Sequence, residues 1–166
     1  MVFKPESKKI GDNLMTRLAD IVRSISSTGH KHFNIFISHA WDFHSEYLRL
    51  VELLYSIKDF KWYNCTGYQC GLIADDIDMF HDYLPGLLKN QIWSAHCVLI
   101  ITDIYMDNEY WIQKEIDIAL EFNKPIIAIK SRFVTPVPAI IEQAATAIVE
   151  WTPESISEAI RKHSKL

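Results

Sequence analysis

The sequence predicts an α/β domain: a five-stranded, parallel, doubly wound sheet, preceded by an extra N-terminal helix. Three observations carry this. Cys97–Thr102 and Ile126–Ile129 are unbroken apolar runs, as in strands buried on both faces. Stretches with apolar residues at helical spacing alternate with such runs. Breaks rich in Gly, Pro, Asn, Asp and Ser separate them. Strands alternating with helices in this way form a parallel sheet with crossover connections.

In chain order, Ile10, Leu14, Leu18, Ile21 and Ile25 form a helical stripe that ends at Ser26-Ser27-Thr28-Gly29. The stripe packs on the domain's own edge or meets a partner, and a stripe alone does not choose between them. Residues 1–32 are therefore assigned as helix and linker, and 33–166 as the domain. Phe33–Ile37 is a short apolar strand. His44–Ile57 is a helix with Tyr47, Leu50, Val51 and Leu54 on one face. Lys61–Cys65 is a weak edge strand, and Thr66–Ile77 a long loop with Gly67, Gly71 and the pair Asp75-Asp76.

Asp78 is a candidate N-cap for a helix to about Ser94, with Phe80, Leu84, Leu87, Leu88 and Ile92 inward. Pro85 either kinks it or marks its start. After the strand Cys97–Thr102 comes a helix from Asp107 to Phe122, stopped by Asn123 and Pro125. Its inward stripe is Ile112, Ile116, Ala119 and Leu120, with Glu115 at the flank. Ile126–Ile129, a short helix after Pro136 and Pro138, and Thr146–Val149 follow. Thr152-Pro153 caps the last helix. Right-handed crossovers that reverse beside the first strand give a flavodoxin-like order.

Composition narrows the function classes. The net charge of -4 gives no electrostatic case for nucleic acid. No apolar run approaches a membrane span, and the N-terminal lysines lack the apolar core of a signal peptide. Of three cysteines, Cys97 reads as a buried core thiol, and Cys65 and Cys70 lack zinc spacing. The expectation is a reduced, cytoplasmic protein without a metal. Trp41, Trp62, Trp93 and Trp151 read as core or half-buried packing residues, and His81 and His96 as surface or capping residues.

Ligands of such sheets bind beyond the carboxyl ends of the strands, where the strand order switches. Those ends deliver Ile37-Ser38-His39-Ala40-Trp41-Asp42 after the first strand and Asp103-Ile104-Tyr105 after the third. Trp111 and Glu115, one helical turn apart, open the helix that starts at the same edge. A ring and a carboxylate beside a core face make a candidate pocket. The plainer alternative is a solvated helix glutamate and a packing tryptophan. A phospho-receiver lacks its acidic pair after the first strand, although Asp103 stands after the third. Neither a Gly-x-Gly-x-x-Gly nor a Walker loop is present. Adjacent Ser38 and His39 point opposite ways on extended chain, which disfavours a Ser-His-Asp triad.

Phe36-Ile37-Ser38 with its polar loop, and Trp111-Ile112-Gln113-Lys114-Glu115-Ile116 opening a later helix, resemble the TIR domain superfamily. The likeness is to the bacterial TIR-like branch that includes the ThsB proteins of Thoeris antiphage defence. It runs from about Phe33 to Lys162 and takes in Lys124-Pro125-Ile126-Ile127-Ala128-Ile129 and Trp151. Enzymatic members cleave NAD at the nicotinamide–ribose bond, some of them joining the remainder into a cyclic or conjugated ADP-ribose signal. The resemblance implies that Glu115 is catalytic and Trp111 lines the pocket. It places Ser38 and His39 in the loop bordering the substrate.

With the strand-end residues, the expected substrate-binding set is Ile37, Ser38, His39, Trp41, Asp42, Asp103, Tyr105 and Trp111. NAD is then substrate, with no separate cofactor. Implied partners are a second TIR-like subunit or self-association, and an effector reached through a diffusible messenger. Gly67–Asp78 matches the variable, pocket-closing loop but carries none of its simple signature residues. A non-enzymatic interaction module on the same fold is the alternative.

Overall fold

The computed structural model describes residues 32–38, 45–66, 77–130 and 136–166, giving the backbone alone for 77–84. The expected N-terminal helix lies outside the described residues, as do His39, Trp41, Asp42, Cys70 and most of the long Gly67–Asp78 loop. The described residues fall within one unit, His32–Leu166.

Five strands form one sheet: β1 (His32–Ile37), β2 (Lys61–Asn64), β3 (Cys97–Ile101), β4 (Ile126–Ile129) and β5 (Ala147–Val149). Their order is β2-β1-β3-β4-β5 and every pair is parallel. The order reverses between β1 and β3, where Ile37 pairs with Leu99. The flavodoxin-like expectation is met, and the switch point lies where the candidate residues emerge.

Side-chain alternation along β1 sorts the two cores. Phe33, Ile35 and Ile37 point to one face, with Leu99, Ile101, Ile127 and Ile129. That face is covered by α1 (Ser45–Ser56), through Tyr47, Leu50 and Leu54, and by the C-terminal helix Pro153–His163 through Ile156 and Ile160. Phe36 points to the other face, with Val98, Ile100, Ile126 and Ala128. There α2 (Ile77–Ser94) contributes Ile92, α3 (Glu109–Glu121) contributes Ile112, Ile116, Ile118 and Ala119, and α4 (Ala139–Ala144) contributes Ile141. The C-terminal helix is α5. Among the described residues no helix is long and apolar enough to cross a membrane.

Several local expectations are corrected. Helix α2 already begins at Ile77, one residue before Asp78, and runs through Pro85. The proline forgoes the hydrogen bond of its missing N–H, and the helix continues into residues packed on the sheet. Leu87 and Trp93 face outward, Trp93 being 66% exposed, because Leu88 and Ile92 hold the buried side. Leu120 is 55% exposed. On a wheel of about 100° per residue, the buried residues of α3 span about 160° and Glu115 lies near their middle, not at the flank. Leu120 falls outside that arc.

Helix ends obey the sequence signals. Asn123 adopts a left-handed φ of 52° just past α3. Its N–H donates to the Leu120 carbonyl and the Lys124 N–H to that of Ala119, which closes the helix as a Schellman motif. At α5 the Thr152 hydroxyl accepts from the Ser155 N–H, with Pro153 at the first helical position. Thr152→Ala should cost about 1 kcal/mol in urea unfolding, and Thr152→Ser much less.

Candidate active site

The two stretches that the sequence set at one sheet edge meet in the structure. Ser38 follows the last residue of β1, on the same side as Phe36, and that side is the one α3 covers. Its hydroxyl donates to Oε2 of Glu115, from the second turn of α3. Both residues are buried, Ser38 completely and Glu115 to 4% exposure. Burial pushes the Glu115 carboxyl up from 4.5 to about 8, and the Ser38 hydrogen bond opposes that rise. At neutral pH the resting group is therefore mostly protonated. An acid this perturbed at a topological switch point is a functional-site candidate on physical grounds.

Backbone contacts hold Ser38 in place. Its N–H donates to the Leu99 carbonyl at 2.8 Å, extending the β1–β3 ladder past the end of β1. On the other flank the Thr66 hydroxyl accepts from the Ile37 N–H at 2.7 Å and donates to the Ile37 carbonyl at 3.2 Å. The Thr66 N–H in turn donates to Asn64 Oδ1 at 2.9 Å, and Asn64 Nδ2 donates to the Tyr47 hydroxyl at 2.8 Å.

The remaining expected residues divide. Trp111 is half-buried one turn before Glu115 and meets Tyr110 edge-on, with ring centroids 5.3 Å apart. Asp103 lies in a short 3-10 turn, Thr102–Ile104, at the same sheet edge and is partly buried. One expectation is corrected. The Ile37 side chain packs into the core on the face opposite Glu115, because strand residues alternate, so only its backbone borders the site. The Tyr105 ring is buried in the core beneath α3 and its hydroxyl donates to Glu109 Oε1 at 3.1 Å. His39, Trp41 and Asp42 lie outside the described residues.

Two residues near the site escaped the sequence reading. By sequence Thr66 opens a loop, although Asn64-x-Thr66 after a strand is the pattern of an Asx turn. Thr102, which opens the 3-10 turn just after β3, has a buried hydroxyl with no hydrogen-bond partner among the described residues. Buried hydroxyls without a partner are uncommon in folded proteins. At the opposite sheet edge, His96 Nδ1 accepts from the Asn34 N–H at 3.0 Å, a capping role away from the site. No three His, Cys, Asp or Glu side chains among the described residues gather as metal ligands do.

Comparison with known proteins adds one family. Residues 36–135 match the model of the family described as Thoeris protein ThsB, TIR-like domain. No curated protein matches the sequence. Among solved structures, the CMP N-glycosidase BcmB of Clostridium botulinum is similar to this chain, with a TM-score of 0.47 and 11% identity. The overlay covers 77% of this chain and 98% of that one. At that distance the likeness says nothing of what this chain does.

Proposed function

Because the chain belongs to the TIR-like domain family of the Thoeris protein ThsB, we propose that it cleaves NAD at the nicotinamide–ribose bond. The observation that carries this is the buried Ser38–Glu115 pair at the switch point of the sheet. Glycosidases commonly need two carboxyl groups, one of them to protonate the leaving oxygen. Nicotinamide is cationic in NAD and leaves as a neutral molecule, so no general acid is needed. What remains is to orient the ribose and to face the positive charge that develops at its anomeric carbon. One desolvated carboxylate does both.

The raised pKa of Glu115 fits this chemistry. In the resting site the carboxyl keeps its proton, since burial disfavours the anion. A cationic nicotinamide ring arriving beside it favours ionisation, so binding substrate and releasing that proton are coupled. Ser38 then supports the anion by its hydrogen bond, and Trp111 offers a ring face to nicotinamide or adenine. The released ADP-ribosyl group goes to water, to a second position on itself or to another acceptor. The product serves as a messenger for a partner effector in bacterial antiphage defence, within the cytoplasm that supplies NAD.

Product analysis by mass after incubation with NAD tests the proposal. The protein is assayed concentrated and, separately, with extract of phage-infected cells as activator. Nicotinamide and an ADP-ribose-derived species are expected. Intact NAD under both conditions, together with filaments or binding to another TIR domain, contradicts catalysis and identifies an interaction module.

A further inference from the structure

Ser38 reaches Glu115 only if the peptide that carries it is held, and the structure holds that peptide from both sides. The peptide unit joining Ile37 to Ser38 has two polar groups. Its N–H, from Ser38, donates to the Leu99 carbonyl of β3 at 2.8 Å. Its carbonyl, from Ile37, accepts from the Thr66 hydroxyl at 3.2 Å. The same hydroxyl accepts from the Ile37 N–H at 2.7 Å.

Strand β2 cannot supply this second grip with its own backbone. Its ladder with β1 ends where the Cys65 N–H donates to the Ile35 carbonyl at 2.8 Å. One residue later the chain turns, with the Thr66 N–H bonded back to Asn64 Oδ1. The threonine side chain takes the place a ladder group would have had. Thr66 is 3% exposed, so its hydroxyl does not exchange these bonds for water. Tyr47 of α1 fixes Asn64 from behind through the bond to Nδ2.

We propose that Thr66 is a positioning residue for the Ser38–Glu115 pair, its hydroxyl clamping the Ile37–Ser38 peptide against β3 so that the serine stays aimed at the carboxyl. Thr66 touches neither reacting atom in this role. The inference deepens the proposed NAD cleavage and uses the same site, but its test does not need turnover.

Among the described residues, burial and the Ser38 hydroxyl are the two influences on the Glu115 carboxyl, and neither is a second charge. Losing the serine contact therefore makes Glu115 harder to ionise. The full chain labelled with ¹³C at glutamate side-chain carboxyls reports this by NMR, with the Glu115 signal assigned by its absence in Glu115→Gln. Ser38→Ala should titrate at higher pH than the parent. Thr66→Val, which keeps shape and removes the hydroxyl, should move part of the way toward Ser38→Ala. Thr66→Ser, which keeps the hydroxyl, should titrate with the parent. If Thr66→Val does not fold, Thr66→Ala reads the same signal. A parental titration in the variant without the hydroxyl overturns the proposal, as does an equal displacement in Thr66→Ser. If the displacement appears but no condition yields nicotinamide from NAD, the clamp stands and the proposed function falls.

Discussion

Glu115→Gln should make the protein more stable than the parent, by a margin that grows from near the ordinary glutamate value of 4.5 up to about pH 8. The sign follows from proton binding. Below 4.5 the carboxyl is protonated in folded and unfolded chains alike, and ionisation favours neither. Between 4.5 and about 8 the unfolded chain releases the proton while the folded chain retains it, so parental stability falls as pH rises. Above about 8 both states are ionised and the loss is complete. At about 1.4 kcal/mol per pH unit, this gap corresponds to several kcal/mol. Glutamine does not titrate, and its amide oxygen can still accept from Ser38. Melting temperatures of both proteins across pH 4 to 9 check this. Parallel curves would mean that Glu115 is not an uncompensated buried acid.

Phe36→Ala should cost about 3–5 kcal/mol, among the largest losses from a single side chain in the sheet. Phe36 is fully buried against Val98, Ile100 and the helices on the α3 side. Truncation removes apolar contact and leaves a cavity in a close-packed layer. The cavity lies two residues before Ser38, on the same face, so the site loses its floor. Water entering there would relieve the desolvation of Glu115 and lower its pKa toward 4.5. Phe36→Leu should cost much less. Denaturant unfolding measures the first effect, and the pH dependence of stability the second.

How much of this was legible in the sequence depends on the distance over which each feature is encoded. Buried strands such as Cys97–Ile101 and Ile126–Ile129 are read from their own residues. The Asn123 stop and the Thr152-Pro153 start are equally local. Strand order followed from general handedness rules, and with it the shared edge of Ser38 and Glu115. Their direct hydrogen bond needed one further step, since Phe36 and Ser38 share a face of β1 and α3 covers that face. Leu120 and Trp93 are apolar yet exposed, because the arc of each helix that meets the sheet, not apolarity alone, decides burial. Tyr105 packs its ring in the core and gives its hydroxyl to Glu109 of the next helix, a pairing that the strand end alone does not encode. For Thr66 the sequence shows at most the Asx turn with Asn64, because its contacts to Ile37 depend on the end of a neighbouring strand in space.

The most direct measurement is nicotinamide release from NAD by the parent and by Glu115→Gln, side by side at pH 8, under the condition that activates the parent. That pH lies near the raised pKa of Glu115, and the variant is expected to be at least as stably folded. Release by the parent and a loss of about 100-fold or more in the variant is the result predicted for a group that stabilises charge in the transition state. Equal release by both proteins would contradict it, because the buried acid would then have no part in breaking the bond.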